Sequence, residues 1–141
     1  MLGDRGLACR VPTSTVAAVP SPIQTVQRFM AAFIEAWPTK DASGLMEYFS
    51  DDAVYHNIPL EPVQGKEAIR STLEGFMDMG GSVEVEVANI VTAGNLVVVE
   101  RVDHFIQSGG TSSLSMMGIF EIEGSLIKAW RDYFDLSQLR S

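Results

Sequence analysis

The chain has 141 residues, 46% of them apolar, with 18 Asp and Glu against 10 Lys and Arg for a formal net charge of −8. That size fits one domain with one core, and the acid excess argues against nucleic acid or an anionic membrane as a partner. The lone Cys9 can build neither an intrachain disulfide nor a zinc site, and no apolar run approaches a membrane span.

Residues 1–20 mix Gly3, Gly6, Pro12, Ser14 and Pro20 without a period and read as a flexible tail. Val16–Val19 is too short for the apolar stretch of a secretory signal. With the single cysteine, this points to a cytoplasmic protein.

One folded domain is expected over 21–141. Ser21-Pro22-Ile23-Gln24 has the form of a capping box with Pro at the first helical position. Ile23, Val26, Met30, Phe33 and Trp37 then recur at helical spacing, and Pro38 ends the pattern. Asp41 is positioned to cap a short second helix with Leu45, Tyr48 and Phe49, and Ser50-Asp51-Asp52 reads as a turn. Val54–Ile58 is a short strand, and Pro59 and Pro62 mark a loop. A third helix is expected from Lys66 to about Met79, with Ile69, Leu73, Phe76 and Met77 on one face and Gly80-Gly81 closing it.

The period then changes to two. Val83, Val85 and Val87 alternate with Glu84 and Glu86, and Gly-containing turns separate Leu96–Gln107, Leu114–Glu121 and Leu126–Asp135. Hairpins of this kind make an antiparallel meander. Helices followed by strands point to an α+β fold, with helices packed on one face of a curved sheet.

Strand alternation isolates the polar residues of interest. Arg101 and Asp103 share a face with Val97, Val99 and Phe105, and Asp132 sits between Trp130 and Phe134 on a face with Leu126 and Lys128. Charges in an apolar row are costly unless hydrogen-bonded. If these faces line one cavity, Arg101 lies between Asp103 and Asp132. Such a pair can be driven to different protonation states, as acid–base catalysis needs. A structural salt bridge between Arg101 and one Asp explains the same pattern. Tyr55 and Asn57 share a face of the short strand and could position a water, or could simply finish a strand at the edge of the core.

The motifs Tyr55-His56-Asn57-Ile58-Pro59-Leu60, Glu100-Arg101-Val102-Asp103 and Trp130-Arg131-Asp132-Tyr133-Phe134-Asp135 occur in this order. Together they resemble the limonene-1,2-epoxide hydrolase family of the NTF2-like, SnoaL-like superfamily over about residues 22–136. His56, in the middle of the first motif, departs from the family pattern. The resemblance implies an NTF2-like cone, with three N-terminal helices on a strongly curved, mixed but mostly antiparallel sheet enclosing a pocket. It further implies one-step hydrolysis of an epoxide to a vicinal diol, without cofactor, metal or covalent intermediate. On that basis Asp132 is the general base, Tyr55 and Asn57 hold the water with it, Asp103 is the general acid, and Arg101 bridges both carboxylates.

The expected partners are water and a small apolar epoxide, cyclic or terpene-like. Candidate pocket residues are Met30 and Phe33 from the first helix, Leu73, Phe76 and Met77 from the third, and Leu114, Met116 and Phe134 from the sheet. Val102, Met117, Ile119 and Ala129 fall on the outer sheet face, which suggests a homodimer. His104 shares that face. Two other readings remain: a ketosteroid-isomerase-like or polyketide-cyclase-like enzyme, and a non-catalytic small-ligand-binding domain of the same fold.

Overall fold

Ser21 opens the first helix as the sequence implies. Its Oγ accepts the Gln24 N–H at 3.2 Å, and Gln24 Oε1 accepts the Ser21 N–H at 3.0 Å. The structure, a computed structural model, describes residues 18–139. Most of the expected tail, with Cys9, therefore lies outside the described residues. Helix α1 spans Pro22–Ala36 and buries Val26 and Phe29. The peptide before Pro38 disfavours further α-helix, so the chain tightens into a 3-10 turn over Trp37–Thr39.

The expected second helix is a 3-10 segment, Ser43–Tyr48, with Leu45 buried. The expected cap is corrected: Ala42 is the N-cap and no side chain caps the segment, while Asp41, one residue earlier, accepts the Ser43 N–H at 2.9 Å through Oδ1. The expected turn at Ser50-Asp51-Asp52 is corrected: strand β1 runs Phe49–Asn57. Phe49 already pairs with Ile127 before the register shifts and pairing resumes at Val54. The polar run is thus an irregularity in an extended chain, with Ser50 buried and Asp51 and Asp52 exposed. The expected loop contains a two-residue edge strand, β2 (Val63–Gln64), antiparallel to β1.

Helix α2 spans Lys66–Met77, two residues shorter than expected. The chain then turns through Met79 N–H to Phe76 O (3.1 Å) and Gly80 N–H to Met77 O (2.9 Å). Gly81 has φ +72°, and a Cβ there would overlap the Ile106 carbonyl, so glycine is required on both counts.

Strands β3 (Ser82–Ala93), β4 (Leu96–Gln107), β5 (Gly110–Glu123) and β6 (Leu126–Phe134) form the antiparallel meander. The six-stranded order is β2-β1-β6-β5-β4-β3, with β1 parallel to β6, so the sheet is mixed but mostly antiparallel. Bulges bend it around the helices. One lies at Ala88 in β3 and another at Lys128 in β6, where Ile122 pairs with Ile127 but Glu121 pairs with Ala129. The second corrects the expected face: Leu126 and Lys128 do not join Trp130 inside, because the extra residue turns Ile127 into the core and leaves Lys128 exposed.

Helix α1 packs across β3, β4 and β6, and α2 packs against β1 and β2. Phe29 meets Phe49 and Trp130 edge-on at 5.3 and 5.1 Å. Leu73 and Met77 are fully buried in this core. After β6, a 3-10 segment (Leu136–Leu139) is tied to β5 by Gln138, whose amide bonds both the N–H and the carbonyl of Ser115. Among the described residues no helix is long and apolar enough to cross a membrane.

Candidate active site

The inward positions of β4 run Val97, Val99, Arg101, Asp103 and Phe105. Two strands away, β6 turns Asp132 inward. Arg101 and Asp103 are each 4% exposed and Asp132 is 2% exposed. Charges this deep require partners, and Arg101 supplies them to both carboxylates. Its Nε donates to Asp103 Oδ1 at 2.9 Å and its Nη2 to Asp103 Oδ2 at 3.4 Å. Along the adjacent edge, Nη1 donates to Asp132 Oδ1 at 3.1 Å and Nη2 to Asp132 Oδ2 at 2.8 Å. A planar fork can engage two carboxylates bidentately, where a lysine ammonium is one point charge.

The parallel β1–β6 pairing brings the other two residues in. Tyr55 lies beside Trp130 and Asn57 beside Asp132 in register. The Tyr55 ring stacks on Trp130 at 4.2 Å, and its hydroxyl donates to Asn57 Oδ1 at 3.3 Å. Arg101, Asp103, Asp132, Tyr55 and Asn57 therefore form one buried cluster. Trp130 belongs with them, because its Nε1–H donates to Asp132 Oδ1 at 2.9 Å. Its position two residues before Asp132 on the same strand face was the available sequence signal.

Burial pushes the Asp103 carboxyl above the usual aspartate range, against the pull of the adjacent Arg101 cation. Burial, then the charge of Asp132, raises the Tyr55 phenol, which keeps its proton. Burial opposes the Arg101 charge, but Asp132 and Asp103 more than offset it and the guanidinium stays cationic. The site thus combines a carboxyl that holds its proton more tightly than usual with a second carboxylate, fixed amid hydrogen-bond donors. Among the described residues no three His, Cys, Asp or Glu side chains converge as metal ligands. His104 lies on the outer face, 2.7 Å from Ser113 Oγ and 3.1 Å from Glu86 Oε1. His56 Nε2 sits 2.9 Å from the Leu60 carbonyl.

A mainly apolar cavity of about 330 Å³ adjoins the cluster. Phe33, Phe76, Leu114, Met116 and Phe134 line it, as does Asn57. Leu114 is the cross-strand neighbour of Asp103 and Met116 that of Arg101. Arg101 and Asp103 themselves border a small gap of about 10 Å³ with Met30, and Phe33 borders both spaces. Leu73 and Met77 are corrections: the buried edge of α2 carries them into the core, and Phe76 and the following Met79 reach the cavity instead. Trp37, Leu60, Phe105, Leu136 and Leu139 complete the apolar wall and were not foreseen. A more open groove of about 620 Å³ between α1 and the 3-10 segment carries Arg28, Glu35, Asp41 and Glu47 and none of the clustered residues. Its charged lining suits solvent better than an apolar ligand.

The family model described as the limonene-1,2-epoxide hydrolase catalytic domain matches residues 20–141. The chain is 30% identical over 105 residues to the epoxide hydrolase EphG of Mycobacterium tuberculosis, covering 74% of this chain and 70% of that protein. The solved structure of an M. tuberculosis LEH-like epoxide hydrolase superposes with a TM-score of 0.63 at 29% identity, covering 79% of this chain and 83% of the other. An NTF2-like protein from Anabaena variabilis superposes with a TM-score of 0.72 at 14% identity, covering 86% and 95%, a likeness of fold.

Proposed function

The chain belongs to the limonene-1,2-epoxide hydrolase family, and from that premise we propose that it adds water in one step to a small lipophilic epoxide, cyclic or terpene-like. The observation that carries this reading is Arg101 bridging two buried carboxylates beside an apolar cavity. Asp132 removes a proton from a water held by Asp132, Tyr55 and Asn57. The water oxygen attacks one epoxide carbon as that carbon–oxygen bond breaks. The bond pair passes to the ring oxygen, which takes the Asp103 proton. Asp132 ends protonated and Asp103 ionised, and proton exchange restores the pair.

The alkoxide is a poor leaving group without a proton, and water is a poor nucleophile without a base. The raised Asp103 carboxyl supports its assignment as the acid. Arg101 sets the distance between the two acids and binds neither product nor cofactor in this scheme. A cavity of about 330 Å³ lies at the small end of small-molecule sites, in keeping with a small cyclic substrate. An isomerase or cyclase needs an acid–base pair but no water site, and the Arg101 bridge between two carboxylates with Asn57 beside Asp132 favours the hydrolase.

Incubation with a panel of small epoxides and chiral analysis of the diols tests the activity. Asp132→Asn abolishes turnover in a folded protein. Single turnover in ¹⁸O-water with excess enzyme puts the label directly in the diol. Label passing first into an enzyme carboxylate refutes the one-step route.

The folded unit is proposed as a single domain over 21–141 in a reducing, cytoplasmic setting, which the lone cysteine supports. Val102, Ile119 and Ala129 are half-buried and Met117 and Tyr133 exposed on the outer face, which supports a homodimer through it. Sedimentation then finds a dimer for the wild type and a monomer for Met117→Arg. A monomeric wild type removes the dimer.

A further inference from the structure

We propose that Gly118 is a positioning residue: its missing side chain is the opening through which the Arg101 guanidinium crosses β5 to reach Asp132. The functional weight of this inference rests on the hydrolase reading of the bridged carboxylates, while its structural part does not.

Strand β5 lies between β4 and β6, and Gly118 is paired with Val99 on one side and Asp132 on the other. The inward positions of β5 run Leu114, Met116, Gly118, Phe120 and Ile122, and all but Gly118 carry a large apolar side chain. Arg101 stands opposite Met116, one inward position away from Gly118. To bond Asp132 its side chain must pass over the β5 backbone, and Gly118 is where the surface dips.

Backbone conformation does not explain this glycine. Its φ is not among the positive values found at the turn glycines, and glycine inside a strand costs stability through entropy and lost packing. The explanation is contact. A Cβ built at position 118 runs into Arg101 Nη1 and comes within 2.7 Å of Asp132 Oδ1. Those two atoms are the ends of the 3.1 Å hydrogen bond. The next neighbour, Phe120 Cε1, is 3.6 Å away, an ordinary contact. A free arginine tip would swing aside at little cost. This tip is buried and held by four hydrogen bonds, and Asp132 Oδ1 is also held by Trp130. A methyl group therefore wedges Arg101 from Asp132, while the Asp103 pair on the other edge persists.

The test begins with Gly118→Ala, with Gly75→Ala as control because a Cβ at Gly75 meets nothing. On a small cyclic epoxide, Gly118→Ala lowers kcat by roughly 10²-fold, the scale of a misplaced reacting group, with little change in KM. The acid limb of its pH–rate profile moves to higher pH, because a carboxylate that loses its cation holds a proton more tightly. Wild-type kcat and profile in Gly118→Ala overturn the proposal. Thermal melting keeps the idea testable if Gly118→Ala is unstable or the wild type does not turn over epoxides. Gly118→Ala is introduced into the wild type and into an Arg101→Ala/Asp132→Ala background. Its destabilisation is large in the first and mostly lost in the second. Equal destabilisation in both backgrounds assigns the glycine to the strand itself and overturns the proposal. An inactive wild type with a positive cycle overturns the hydrolase reading instead.

Discussion

Replacing Arg101 by methionine removes the cation and keeps much of the side-chain volume. Asp103 and Asp132 are then two carboxyls, 4% and 2% exposed, sharing a site with no positive charge. Breaking a buried ion pair from one side costs about 3–5 kcal/mol. A second route to the magnitude is to protonate the second carboxyl, the cost of the raised Asp103 carboxyl being common to both proteins. With an ordinary aspartate value of about 3.9 and 1.36 kcal/mol per unit, this costs about 4 kcal/mol at pH 7 and about 1.5 kcal/mol at pH 5. The two routes agree at pH 7. In the variant the folded-state carboxyl lies above its unfolded value, so stability is retained at low pH and lost as pH rises through the folded value. For a domain of this size, roughly 4 °C of Tm per kcal/mol gives a loss of about 16 °C at pH 7 and about 6 °C at pH 5. Circular-dichroism melts of both proteins between pH 5 and 8 measure this. A loss of Tm that does not vary with pH, or one that corresponds to less than about 1 kcal/mol, refutes the placement of Arg101 as the counter-ion of a buried acid pair.

Further outcomes follow from the same geometry. In the proposed reaction Asp103 donates a proton, and burial raises its carboxyl, so activity falls on the alkaline side as pH passes that raised value. Asp103→Asn lowers kcat by about 10²–10⁴-fold, and the alkaline limb disappears from the residual kcat/KM profile. Leu73→Ala costs about 2–5 kcal/mol in a urea titration but leaves KM unchanged, because Leu73 is core and not cavity wall. Leu114→Ala, in the wall, shifts KM for bulkier epoxides.

Local features were legible along the chain where the physics is local. The Ser21 capping box, the α1 stripe and the alternation of β4 each depend on neighbours a few residues away. Alternation alone singled out Arg101, Asp103 and Asp132, since an ion in an apolar row needs a buried partner. The motifs Y-x-N, E-R-x-D and W-R-D added what the family does with such residues.

Tertiary structure decided the rest. Which strand lies beside which is a non-local choice, so the parallel β1–β6 pairing that sets Asn57 beside Asp132 had no local signature. A bulge adds one residue without changing composition, so the reversal at Ile127 and Lys128 was invisible. A helical stripe is wide enough to face two surfaces, and only the sheet beneath α2 separates Leu73 in the core from Phe76 at the cavity. The sequence by itself marked the charges set in apolar rows, with Lys128 wrongly among them. Packing determined that one guanidinium would satisfy two of them across an intervening strand, because the distance it spans exists only once β4, β5 and β6 are laid side by side.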